Sequence, residues 1–179
     1  ASPAKVAPSA AAPALAGGAA CPASDVLHSP SREEAILRGR QLLHKRLKLL
    51  RLESVVMEDD GNCQFRALSQ ELFGSQARHS DVRKVATAHM KRHPGEFRPY
   101  FEADEDWERY LQGMAINGTW GDEFTLRAVV DAMRVKIHVV SSEVENWYLE
   151  YEPRGPPPIR ELFLAYVSPI HFNTLRPVR

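Results

Sequence analysis

Asp60-Gly61-Asn62-Cys63-Gln64-Phe65-Arg66-Ala67-Leu68 joins a polar turn directly to a helix. Phe65, Leu68 and Leu72 fall at i, i+3 and i+7, and Gly74 stands where a left-handed cap would end the helix. Cys63 is therefore expected at a helix N-terminus. Unpaired N–H groups and partial positive charge there favour a thiolate over a free pKa of about 8.5. The turn-prone residues before it let the backbone double back, so that its amides can face an oxyanion forming beside the sulfur. A buried, unreactive cysteine satisfies the same position equally well.

Upstream of this stretch, Ser54-Val55-Val56-Met57 is β-prone. Ser31 with Glu34 fits a capping box that opens a helix over 31–52. Its apolar set is Ile36, Leu37, Leu42, Leu43, Leu47 and Leu50, and the remainder is strongly basic. Such a helix docks one face on the domain and solvates the other. Downstream, periodicity predicts a helix from a Ser80 cap to Pro94-Gly95, one from Asp104 with Trp107, Tyr110, Leu111 and Met114 on one face, and one over Asp122 to Met133. The period then changes to two. Val135, Ile137 and Val139 alternate with Lys136 and His138 as a half-buried strand, and strands follow at Trp147 to Tyr151 and Arg160 to Val167. Helices followed by a strand cluster predict an α+β domain with an antiparallel or mixed sheet.

The 179 residues are 44% hydrophobic and 26% charged, which provides for one domain with a real core over 31–179. Residues 1–30 begin as an Ala/Pro/Ser/Gly run that buries too little to offset ordering entropy, and read as a flexible tail. Basic and acidic residues number 23 each, so no global field draws the chain to nucleic acid or an anionic membrane. No apolar run approaches the roughly 20 residues that span a bilayer. Cys21 and Cys63 are too few for a disulfide scaffold, and no Cys/His cluster has zinc-like spacing in the sequence. The expectations are thus no metal, no cofactor and a reducing compartment, with the cytoplasm as default.

A nucleophilic thiol needs a base and a group to orient it. His171 and Asn173, at the end of the last expected strand, are two residues apart and project to the same side of an extended segment. Asn173 can then hold one ring nitrogen while the other faces the thiol. No role is assigned to His28, His44, His79, His89, His93 or His138.

Taken together, Asp60 to Leu68, Gly118-Thr119-Trp120-Gly121-Asp122 and His171-Phe172-Asn173-Thr174-Leu175 resemble the three signature blocks of the ovarian-tumour (OTU) deubiquitinase family, in the same order. The resemblance covers roughly residues 31 to 177 and is closest to small single-domain plant and algal members. It implies a papain-like cysteine peptidase fold that cleaves the isopeptide bond after the C-terminal glycine of ubiquitin, without metal or cofactor. Carried over, Cys63 is the nucleophile, His171 the general base and acid, and Asn173 the orienting residue. Asp60 is the active-site aspartate that shapes the oxyanion loop. Gly61, Asn62, Trp120, Gly121, Asp122 and Glu123 are the expected substrate-binding residues, with Trp120 equally readable as a core anchor before a helix. Thr125 departs from the Glu that many relatives carry. The expected partner is ubiquitin or polyubiquitin, bound by a monomer. The alternatives are an inert ubiquitin-binding module, or the same chemistry on another ubiquitin-like modifier.

Residues 102–123 also hold seven carboxylates, from Glu102 to Glu123, against Arg109 alone. An acidic rim of this kind, at Asp122 and Glu123 above all, would attract the basic tail of ubiquitin. The same carboxylates serve equally as helix N-terminal charges.

Overall fold

The computed structural model describes residues 31–178. The expected tail at 1–30, with Cys21, lies outside the described residues. The elements are α1 (Arg32–Leu49), β1 (Leu52–Val55), α2 (Cys63–Phe73), α3 (His79–Arg92), the short α4 (Pro94–Phe97), α5 (Asp104–Ala115), α6 (Glu123–Met133), β2 (Val135–Ser141), β3 (Tyr148–Tyr151), β4 (Arg160–Val167) and β5 (His171–Pro177). Among the described residues, no helix is long and apolar enough to cross a membrane.

The strands form one mixed sheet in the order β1-β5-β4-β2-β3, with β2 and β4 parallel and the other pairs antiparallel. Because strand side chains alternate between faces, the two sides of the sheet carry separate cores. Val135, Ile137, Val139, Leu162, Leu164 and Phe172 pack with α2, α3, α5 and α6 around the fully buried Phe65 and Leu68. Val140, Ala165, Val167 and Leu175 meet Leu43 and Leu47 of α1 on the opposite face. Each fully buried side chain of this size contributes about 1.5–3 kcal/mol.

Several sequence expectations change here. The Ser31–Glu34 capping box forms, with Ser31 Oγ accepting from the Glu34 amide at 3.2 Å and Glu34 Oε2 from the Ser31 amide at 2.9 Å. The helix ends at Leu49, however, and Leu52 already belongs to β1. Only the second half of α1 reaches the sheet, so Leu43 and Leu47 are buried while Leu37 and Leu50 are exposed. α3 starts at His79; Ser80 is inside it, and a 3₁₀ turn over Gln76–Arg78, capped by Ser75, leads into it. β2 is buried on both faces rather than one, since α1 covers Val140 and the Phe163 and Tyr148 rings flank His138. His171 opens a further strand, β5, that the sequence reading left out. A turn at Ser168–Ile170 folds β5 back onto β4 and inserts it between β4 and β1.

Candidate active site

Positive φ at Gly61 (81°) makes the sharp turn before α2, and a Cβ built there would lie 2.1 Å from the Gly118 carbonyl oxygen. Both features exclude any larger residue. The Asp60 carboxylate organises the turn. It accepts from the Asn62 amide (3.0 Å), Asn62 Nδ2 (2.9 Å), Arg66 Nε (3.1 Å) and Arg66 Nη2 (2.7 Å). Arg66 stands one turn into α2, so these bonds lock turn and helix together. The guanidinium, aided by Asn62, holds the Asp60 carboxyl well below the usual carboxylate range.

Asn62 is completely buried, and its Oδ1 accepts from the Gly118 amide at 3.0 Å and from Arg83 Nη2 at 2.7 Å. Arg83 is itself buried. It also donates to the carbonyls of Thr119 (2.7 Å) and Met114 (3.0 Å), and it stacks on Phe65 at 4.0 Å. One arginine thus ties α3, the end of α5, the 118–119 loop and the turn before Cys63 together. Sequence reading passed over it. The available signal was its position on the same α3 stripe as Ala86, Thr87 and Met90, where a charge requires a buried partner.

Cys63 begins α2 as expected, but it is buried, and burial pushes the thiol up from its ordinary value. The backbone of Phe172 and of Gln64 opposes this, while the charges of Asp59 and Asp60 add to it. The expectation of a thiolate favoured by the helix terminus is therefore corrected: desolvation outweighs the terminus. Phe172 and Cys63 share one core, which brings β5 to the start of α2. In β5, His171 Nε2 lies 3.1 Å from Asn173 Oδ1, which also accepts from the Met57 amide at 2.9 Å. An amide oxygen can only accept, so this bond fixes the ring proton on Nε2 and leaves Nδ1 as the basic nitrogen. Asp59 Oδ1 lies 3.7 Å from Nδ1. The structure thus pairs His171 with Asn173 on the strand whose Phe172 packs in one core with Cys63. Asp60 faces Arg66 and Asn62 instead of the imidazole, and Asp59, which the sequence reading did not single out, is the carboxylate beside the ring.

The expected substrate-binding residues divide. Trp120 is 54% exposed and is no core anchor. Together with Asp59, His171, Asn173 and α1 residues that include Arg40 and His44, it lines a groove of about 690 Å³. Glu123 is exposed. Asn62 is sealed inside, and its amide already donates to Asp60, so of the turn it is not a free oxyanion donor. Gly121 faces inward, where a Cβ would fall 2.1 Å from Gln64 Oε1. Asp122 caps α6: its Oδ1 accepts from the Thr125 amide and the Tyr110 hydroxyl, both at 3.0 Å. Thr125, buried, closes that box and donates to Gln64 Oε1 at 2.6 Å. Of the acidic window, Asp104 pairs with Arg98 and Asp106 with Arg109.

A cysteine at a helix start, with an imidazole held by an asparagine on a strand packed in the same core, is the residue set of the papain-like thiol peptidases. The sequence model of the OTU-like cysteine proteases matches residues 58–176, and the chain belongs to that family. It is similar to the ovarian tumor domain-containing deubiquitinating enzymes 10 and 11 of Arabidopsis thaliana, at 35% and 36% identity over 146 residues. Those matches cover 82% of this chain and 40% and 58% of the two proteins, so the chain spans about half the length of the curated relatives it matches. The solved structure of the OTUD1 OTU domain superposes with a TM-score of 0.69 at 22% identity, covering 82% of this chain and 99% of that one. The fold is therefore the OTU fold.

Proposed function

We propose that this chain is a deubiquitinase that hydrolyses the isopeptide bond after the C-terminal glycine of ubiquitin. The observation that carries the reading is the His171–Asn173 pair on the strand whose Phe172 packs in one core with the helix-start Cys63. His171 Nδ1 takes the thiol proton as sulfur attacks the glycine carbonyl, which suits a thiol that burial keeps protonated at rest. The carbonyl electrons move to oxygen, and the Cys63 amide, with turn amides other than that of Asn62, serves the resulting oxyanion. Collapse of this intermediate breaks the C–N bond while the imidazolium protonates the leaving lysine amine. Water, deprotonated by the same ring, then releases the acyl group from sulfur. Asp60 acts through the turn it braces, and Asn173 through the ring it orients. The deubiquitinating function in the names of similar proteins supports ubiquitin as the modifier.

Ubiquitin and related modifiers carrying a C-terminal electrophile provide the test. Covalent attachment of the ubiquitin probe to Cys63, with cleavage of polyubiquitin, is the expected result. Binding without attachment would instead favour an inert binding module, and preferential capture of another probe would change the modifier.

A further inference from the structure

We infer that His89, Glu96 and Asp131 form a binding site for a first-row divalent cation of the zinc type, which staples α3, α4 and α6 together. Donor atoms of the three side chains all lie within 4.8 Å of one another. They come from three separate elements and share no residue with the thiol site.

Two of these donors are buried and unpartnered. His89 is 92% buried by difference from its 8% exposure, and its Nε2 finds no hydrogen-bond partner among the described residues; the same holds for Asp131 Oδ2. Each such orphan carries a desolvation cost that a native interior normally offsets with a partner. An ion between them supplies one to both. The rest of the geometry holds the donors in place. The His89 ring is clamped by His93, stacked at 4.3 Å, and by the edge of Phe97 at 6.1 Å. Arg154 takes one oxygen of each carboxylate: Nη1 binds Glu96 Oε2 at 2.7 Å and its amide binds Asp131 Oδ1 at 2.8 Å. The other oxygens are left to turn inward. Outer contacts of this kind orient ligands in known metal sites.

One imidazole nitrogen and two carboxylate oxygens suit zinc or manganese better than a soft cation such as Cu(I). Zinc–ligand bonds of about 2.0–2.2 Å give a tetrahedral edge of about 3.4 Å. Donors up to 4.8 Å apart must therefore close by up to about 1.4 Å on binding, through rotation of the Glu96 and Asp131 carboxylates. Water fills the fourth position.

The test uses the full chain, stripped of metal, with Cys21→Ser and Cys63→Ser so that no thiolate competes. Zn²⁺ is the calorimetric probe. One equivalent per chain is expected, with a melting temperature raised by about 5–10 °C at a hundredfold excess over Kd. Asp131→Asn and His89→Gln should each weaken binding by at least about tenfold. Should His89→Gln fail to fold, Asp131→Asn and Glu96→Gln carry the comparison, with Co²⁺ d–d absorption of the parent chain reporting a nitrogen-containing, low-coordinate site. Absence of saturable Zn²⁺ binding, as when a water alone bridges the two orphan atoms, overturns the inference. Binding that survives the substitutions overturns it as well.

Discussion

Replacing Arg83 with methionine removes the buried fork that joins α3 to the active-site turn while keeping much of the stem that packs on Phe65. Asn62 Oδ1 keeps the Gly118 amide, but the carbonyls of Met114 and Thr119 lose the guanidinium donors that now reach them. The buried Met114 carbonyl, once orphaned, costs about 1–3 kcal/mol and the part-buried Thr119 carbonyl the low end of that range, about 2–4 for the pair. Part of this is recovered because a guanidinium is no longer held away from water, a burden visible in burial pushing the Arg83 pKa down. The expected net loss is about 2 kcal/mol, a sizeable share of a stability of about 5–15 kcal/mol, and a fall in Tm of about 4–8 °C. Turnover should fall further than stability alone explains. The Gly118 carbonyl buttresses Gly61, and a displacement of about 1 Å beside the nucleophile costs up to about 100-fold in rate. Urea denaturation, with kcat/KM on a fluorogenic ubiquitin substrate well below the transition, measures both. Arg83→Lys should recover only a minor part, because a single ammonium cannot serve three acceptors in a plane. A stability change under about 1 kcal/mol with unaltered kcat/KM would refute the assignment of Arg83 as the tie between helix and turn.

Cys63→Ala should abolish cleavage of polyubiquitin in a gel assay while the circular dichroism melt stays near that of wild type, and Cys21→Ser should have no effect. His171→Ala should lose several orders of magnitude in kcat; Asn173→Ala should lose about 10- to 1000-fold, because water can partly replace an orienting amide. Equal losses at both would refute this ranking. For Asp60, whose folded pKa is depressed by Arg66, the stabilising contribution is complete above the unfolded value of about 3.9 and disappears as pH falls below it. Asp60→Asn should therefore flatten the acid limb of stability measured between about pH 5 and about pH 2. Steering of a basic substrate tail is best tested at the exposed Glu123: Glu123→Gln should lower Tm by only about 1–4 °C, the share of its charge at the start of α6, and make the fall of kcat/KM with salt shallower. By contrast, Asp122→Ala should cost about 1–2 kcal/mol through its lost cap, whatever the salt.

What could be read from the linear chain was local in origin. The turn into α2, the Ser31–Glu34 box, the Gly74 cap and the Asp122–Thr125 box at the start of α6 each depend on contacts within a few residues, so their residue types announce them. His171 and Asn173 were legible for the same reason, as an i, i+2 pair on one side of a strand. Tertiary structure alone decided how these pieces meet. β5 went unread because its place between β4 and β1 depends on pairing across more than a hundred residues, from Val55 to Thr174. Arg83, Asn62 and Gly121 have their meaning only through partners on other elements, and so does the cluster of His89, Glu96 and Asp131. Local sequence shows that a helix start favours a thiolate, but desolvation depends on everything packed around a group. Burial of Cys63 could therefore reverse the direction that its helix position suggested.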